Sequence, residues 1–366
     1  MSYSIGIVGL ANAGKSTVFN ALTALQVPCE SYPFCTIDPN VGQVPVPDPR
    51  LNQLAKIVKP EKVVPAIIEF VDIAGLVKGA HKGEGLGNQF LSEIRGTDAI
   101  AEVVRCFENP EVAHPEGSID PVRDAETVLF ELIQKDLENT RARLDKARHR
   151  AEVGEKEAKL EAELCEKMLK ALEQLTPLSK LEFSAEEETV LREIRPLTLK
   201  KRFFVANLGE EAIAKDNYKY LAQLSGYAEK HGIKLVPFFG KVEAEVQSLD
   251  KGEQELFLKE MGIEQPGLVE VIKAGKEVLD LITFYTVVGG RELRNWLVPR
   301  GTSAPQAAGK IHTDFEQGFI KAEVMTFRDF IKSGGEHEAR KLGAVRLEGK
   351  EYLVQDGDII HFKFKP

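Results

Sequence analysis

The stretch that most constrains this chain lies near its start: Ile5-Gly6-Ile7-Val8-Gly9-Leu10-Ala11-Asn12-Ala13-Gly14-Lys15-Ser16-Thr17. An apolar, strand-like run leads into a glycine-bounded loop, and Lys-Ser-Thr opens a helical pattern through Val18, Phe19, Ala21, Leu22 and Leu25. Gly9 to Ser16 fits G-x-x-x-x-G-K-[ST], the phosphate-binding P-loop. The glycines let backbone N–H groups turn inward around a polyphosphate, and the helix start adds a partial positive charge. Lys15 is placed to reach the outer phosphates and the Ser16 hydroxyl to ligate magnesium. A strand before and a helix after favour this reading over an ordinary strand–turn–helix.

At 366 residues the chain is too long for one average domain. Its 43% hydrophobic and 29% charged residues are those of a soluble globular protein. No apolar run approaches the ~20 residues that span a bilayer. The run Ile5–Leu10 is too short for a signal-peptide core and reads as a core strand. Cys29, Cys35, Cys106 and Cys165 show no C-x-x-C pairing, so neither a disulfide framework nor a zinc site is expected, and a reducing cytoplasm is the default. The net charge of −9 argues against bulk nucleic-acid affinity, although not against a local basic face. Charge is unevenly divided: from Leu281 onward, 13 Lys/Arg stand against 11 Asp/Glu.

Residues 26–50 read as a loop, with Pro39, Pro45, Pro47 and Pro49 excluding a central strand. In P-loop GTPases a threonine in such a loop closes onto magnesium and the γ-phosphate; Thr36 is the candidate, against the plain reading of an incidental loop threonine. Ala66–Asp72 is a buried-strand pattern ending in an aspartate, and Asp72 with Gly75 makes D-x-x-G. Asp72 would hold the metal or a water bound to it, and the Gly75 N–H would sense the γ-phosphate. Leu76 stands where signalling GTPases carry a water-orienting glutamine, so hydrolysis is expected to be slow or served from elsewhere. The glycine-rich run 77–88 reads as a switch loop before a helix at Gln89–Ile94. Ala99–Phe107 is another core strand. In the loop Glu108–Asp120, His114 is a candidate for water activation or phosphate contact, against a plain surface histidine; His81 is a weaker one.

From Pro121 to about Leu175, Gly154 is the only glycine. Phe130, Ile133, Leu137, Thr140, Leu144, Ala147 and Ala151 recur at spacings of three and four, as do Leu164, Met168, Ala171 and Leu175. The pattern predicts an antiparallel helical hairpin broken at Val153-Gly154. Arg141, Arg143, Lys146, Arg148 and Arg150 near its tip are either RNA-phosphate contacts or a solvated face. A strand returns at Arg202–Leu208 and ends in Asn207-Leu208-Gly209-Glu210, where GTPases carry N-K-x-D. The aspartate of that motif accepts two hydrogen bonds from guanine; glutamate is one methylene longer, which compromises the clamp and argues for relaxed or switched base choice. Leu235–Gly240 is a last strand and turn, and 243–280 read as acidic helices. The segment from Thr283 reads as a small α+β domain: a strand at Phe284–Val288, a loop into a short helix over Ala304–Phe315, and a strand, Asp-Gly turn and strand over Tyr352–Phe362. His312, Asp314 and His361 fit no metal-ligand spacing.

Taken together, G-L-A-N-A-G-K-S-T at 9–17, D-I-A-G-L-V-K-G-A at 72–80, N-L-G-E at 207–210 and A-P-Q-A-A-G-K-I-H-T-D-F-E at 304–316 closely resemble the YchF/Obg-like ATPase subfamily of the Obg-related P-loop NTPases, TRAFAC class. The resemblance spans essentially the whole chain. It implies an α/β fold with a doubly wound P-loop nucleotide domain (1–121 and 203–280), a coiled-coil insert (122–202) and a C-terminal α+β TGS, ubiquitin-like domain (281–366). It implies ATP preferred over GTP, magnesium, slow hydrolysis, and association with ribosomes or RNA; a cytoplasmic monomer with no membrane partner is expected besides. By matching motif, Asn12, Ala13, Gly14, Lys15, Ser16 and Thr17 hold phosphates, Ser16, Thr36 and Asp72 serve magnesium, Lys15, Thr36 and Gly75 serve catalysis, and Asn207, Leu208 and Glu210 lie beside the base. An Obg-type GTPase of ribosome assembly and a nucleotide-gated adaptor with incidental hydrolysis are the alternatives.

Overall fold

The computed structural model describes residues 2–25, 40–73, 86–215, 218–263 and 265–365. The apolar N-terminal run forms β1 (Tyr3–Val8), and α1 (Lys15–Thr23) follows the glycine loop. Ile5 and Ile7 pack into one apolar cluster and Val8 into another, so β1 is covered on both faces. Val41–Pro45, expected as loop, is instead a strand, β2, antiparallel to β4 at the sheet edge. An edge strand tolerates Pro45 because the missing N–H has no ladder partner to lose.

Next come α2 (Pro49–Val58), β3 (Lys62–Val64), β4 (Ile67–Asp72), α3 (Leu86–Gly96) and the wholly buried β5 (Ala99–Cys106). The expected hairpin is α4 (Pro121–Glu152) and α5 (Lys156–Glu173), turned at Gly154 with φ 94°. Ion pairs Arg148–Glu166 and Arg141–Glu173 mark its antiparallel register. The seam is narrower than the spacing predicts. Ile133, Leu137, Leu144, Ala147, Leu164 and Met168 are buried, but Phe130 and Leu175 are 41% and 54% exposed. Then α6 (Ala185–Ile194), β6 (Lys201–Leu208), α7 (Glu210–Lys215), α8 (Lys219–His231), β7 (Lys234–Phe238), α9 (Gly240–Ser248), α10 (Lys251–Glu260) and α11 (Gly267–Val278) complete the first layer set. The first sheet runs β2-β4-β1-β5-β6-β7, all parallel except β2. Successive strands lie on opposite sides of β1, which makes the end of β1 the topological switch point where such sheets bind ligands.

The second sheet takes β8 (Leu281–Val288) and β9 (Glu292–Pro299), then, after α12 (Ala304–Ile311) and α13 (Thr313–Gln317), β10 (Phe319–Thr326). Past α14 (Phe327–Ser333) and α15 (Glu336–Lys341) come β11 (Arg346–Glu348) and β12 (Asp358–Phe364). Its order is β11-β10-β12-β8-β9-β3. Two sequence expectations change here. Ala304–Phe315 is helical throughout but for His312, because Ala304, Ala307 and Ala308, fully buried, let α12 lie close on the sheet. Of Tyr352–Phe362 only the second half is a strand, and it pairs with β10 and β8 rather than with the segment before the Asp356-Gly357 turn.

Part of the segment before residue 121 packs on the second sheet. β3 pairs in parallel with β9, and Leu51 and Leu54 of α2 are buried with Tyr285, Leu293, Met325, Phe330 and Ile359. Residues 49–64 therefore belong physically to the C-terminal sheet. Asp48 caps α2 at Arg50 N (3.0 Å) and accepts a hydrogen bond from Tyr285 Oη, while the Arg50 guanidinium bonds Asp48 and Asp356. No helix among the described residues is long and apolar enough to cross a membrane.

Candidate functional site

The site is built where β1, β4, β5 and β6 end. Asn12 adopts φ 62° and Gly14 φ 98°, left-handed conformations that curl the loop before α1. Gly14 is required twice over, since a Cβ there would collide with the Asn207 amide. That amide is buried and donates to Ala13 O at 3.0 Å, so the base-loop asparagine of β6 bolts the phosphate loop of β1–α1 across the sheet.

Lys15 is 8% exposed and donates from Nζ to Leu10 O at 2.9 Å, closing the loop on itself. Burial pushes its ammonium below the usual lysine range, while the Asp72 carboxylate opposes that shift. β1 pairs with β4 in a register that sets Ile7 opposite Asp72, which delivers the carboxylate to the mouth of the loop. Desolvation raises the Asp72 pKa; Lys15 and a hydrogen bond from the Ser16 hydroxyl lower it. A cation, a hydroxyl and a carboxylate thus meet at one strand end. The hydroxyl and carboxylate oxygens are hard donors of the type magnesium takes, so the residues present fit that ion. Thr36 and Gly75, like Leu76 and His81, lie outside the described residues.

His114 is placed otherwise than its candidacy for water activation requires. Its Nδ1 accepts from Glu116 N at 3.1 Å, so Nε2 carries the proton and donates to Asp124 Oδ2 at 2.8 Å. Both side chains are about 5% exposed. With both nitrogens engaged, the ring anchors its loop to α4. Sequence reading missed the partners that hold this loop against the P-loop. Asn12 Nδ2 donates to Ala113 O at 2.9 Å, and buried Arg105 donates to the carbonyls of Phe107, Asn109 and Val112. Arg105, with Glu102 one of two charged residues in a wholly buried strand, was the available signal.

On the base side, Asn207 ends up beside Gly240, where a Cβ would stand 3.1 Å from its Oδ1. Glu210 opens α7 two residues beyond β6. Leu208 is 4% exposed and packs with Val104, Cys106, Phe204 and Leu224, so its side chain faces the core. The arginines flagged on the hairpin tip are engaged within the hairpin: Arg141 with Glu173, Arg143 and Arg150 with Glu161, Arg148 with Glu166.

Comparison with known proteins agrees with this layout. A family profile described as "50S ribosome-binding GTPase" matches residues 4–142, and the YchF-GTPase_C profile, described as "Protein of unknown function", matches residues 281–365. The "Ribosome-binding ATPase YchF" of Escherichia coli O157:H7 is 49% identical over 364 residues, covering 100% of this chain and 99% of that one. The protein of that name from Bacillus subtilis is 45% identical over 365 residues, covering 100% of both. Among solved structures, the Schizosaccharomyces pombe YchF GTPase superposes with a TM-score of 0.87 at 36% identity, covering 99% of this chain and 98% of that one. A chain related end to end at this level, with a P-loop closed by its own base-loop asparagine, belongs to the YchF family.

Proposed function

We propose that this protein is a cytoplasmic, ribosome-associated nucleoside triphosphatase that hydrolyses ATP to ADP and phosphate slowly and acts as a nucleotide-dependent switch. The observation that carries this reading is the convergence of Lys15, Ser16 and Asp72 at the end of β1, with N-x-x-E in place of N-K-x-D at the end of β6. The bacterial relatives are named ATPases and the yeast structure a GTPase; Glu210 favours ATP.

The chemistry assigned to the chain's own residues is positioning and charge. Loop N–H groups and Lys15 hold the β- and γ-phosphates, and a phosphate oxygen beside the buried amine restores the charge that burial disfavours. Ser16, Thr36 and Asp72 would hold magnesium, which supplies charge neutralisation across the phosphates when bound. Gly75 N–H is assigned to the γ-phosphate. With His114 engaged and Leu76 unable to orient water, no side chain among the described residues is assigned as base, which is the reason slow turnover is expected. The C-terminal sheet is read as a TGS domain, and the ribosome, including its RNA, as the partner of a monomeric chain. Lys15→Ala is expected to abolish phosphate release from ATP; wild-type turnover in that variant would overturn the P-loop assignment.

A further inference from the structure

A groove of about 1050 Å³ opens between α4 and α8. It reaches Lys201 and Lys234, the first residues of β6 and β7, at the opposite end of the sheet from the P-loop. Its floor is apolar, with Leu129, Phe130, Ile133, Leu175, Pro177 and Ile233. Phe130 and Leu175 are the two residues of the predicted seam that the hairpin leaves 41% and 54% exposed. Leu175 also holds φ 55°, a left-handed conformation that a branched side chain adopts at a cost. Asn or Gly would serve this turn better and expose less apolar surface, so stability of the free chain does not account for the residue.

Charge is arranged along the groove. Lys180 and Lys201 line the groove, and among the described residues neither has a carboxylate at salt-bridge distance, whereas the Lys200 ammonium is turned under α3. Lys180 Nζ donates to His231 O at 3.2 Å, and Lys200 Nζ to Arg95 O at 3.1 Å and to Thr97 O. The other lining cations are already paired: Arg123 with Asp124, Arg202 with Glu102, Lys234 with Glu277. Glu126 and Glu131 also line the groove.

We propose that this groove docks a short amphipathic helix of a protein partner, its apolar stripe on Phe130 and Leu175 and its acidic end against Lys180 and Lys201. The α4 wall from Arg123 to Ile133 runs about 15 Å, two to three helical turns. Two flanking helices present ridges that a third can fill, and carboxylates at one end complement the lysines. A nucleic-acid strand fits less well, because its phosphates need cations along the whole length, and here Glu126 lies among the lining residues while Arg123, Arg202 and Lys234 are already paired. The surface is independent of the nucleotide chemistry above.

The test is fluorescence anisotropy on the full chain with a labelled 14-residue peptide carrying Leu at i, i+3, i+4 and i+7 and Glu in its last turn. Micromolar binding is expected. Leu175→Asn should weaken it at least tenfold while raising Tm, and Lys180→Glu with Lys201→Glu should abolish it and create affinity for the same peptide ending in Lys. Unchanged ATP titration in these variants would confirm that they are folded. Binding no better than that of a scrambled peptide, binding insensitive to these substitutions, or displacement by a 12-nucleotide single-stranded RNA would overturn the proposal.

Discussion

Asn207 does its work through one amide: Nδ2 holds Ala13 O while Oδ1 faces Gly240, so a base-loop residue sets the phosphate loop's shape. Asn207→Ala removes a buried hydrogen bond, and a loss near 1.4 kcal/mol corresponds to about tenfold weaker binding. The loss should be equal for ATP and GTP in calorimetry; a loss confined to one base would mean that Asn207 acts by base contact. Glu210 is the residue expected to separate the bases, and Glu210→Asp alone should improve GTP binding. Restoring the motif's lysine at 208 would thrust an ammonium among Val104, Phe204 and Leu224. In the first turn of α9, Glu243 accepts from the N–H groups of Gly267 and Leu268, yet burial pushes its pKa up to about 7. Between the ordinary carboxylate range and pH 7 the folded state therefore binds more protons than the unfolded one, and stability falls as pH rises through that window. Urea unfolding from pH 5 to 7.5 should show that decline, and Glu243→Gln should lessen it, the remainder coming from buried Glu102, whose pKa burial also raises to about 7.

The hairpin is fixed at its root more firmly than along its length. Buried Asp136 of α4 accepts from Leu197 N at 2.9 Å, Thr198 N at 2.8 Å and Thr198 Oγ1 at 2.7 Å, tying the returning chain to the outgoing helix. Lys200, next along, donates to the C-terminal carbonyls around α3, the helix that follows the D-x-x-G stretch. Burial brings that amine down to about 8. Asp136→Ala strands three buried donors and should cost about 3 kcal/mol or more in urea unfolding. A loss below about 1 kcal/mol would show that water replaces the carboxylate. The hairpin was legible because Gly154 interrupts a long glycine-free, heptad-like run. The exposure of Phe130 and Leu175 was not, because spacing of three and four marks a face without saying how far the partner helix extends.

At the scale of the molecule, the chain between Thr36 and Asp72 passes through the other sheet as α2 and β3. The two lengths of chain assigned to magnesium thus bracket a strand of the C-terminal domain. Arg50→Ala breaks the Asp48–Arg50–Asp356 bridge over Tyr285 and should lower stability by about 2 kcal/mol, the partly exposed Asp356 arm contributing least. The parallel strands of the first sheet could be read from the sequence because burial on both faces makes them near-continuous apolar runs, as at Phe203–Ala206 of β6. β3 could not, since Lys62-Val63-Val64 carries no pattern and its partner lies in β9, far along the chain. The motif residues Lys15, Ser16, Asp72 and Asn207 could be placed because each sits at a strand end or helix start that its own spacing marks. The engagement of His114 by Asp124 and Glu116 follows from loop geometry that no spacing encodes.

The central claim is that a P-loop of this form, with glutamate at position 210, selects adenine. Calorimetric titration of nucleotide-free protein with ATP and with GTP, each with magnesium, tests it most directly. Tighter ATP binding is the expected result. Tighter GTP binding would leave the fold and the phosphate site standing and would contradict the assignment of this chain as an ATPase.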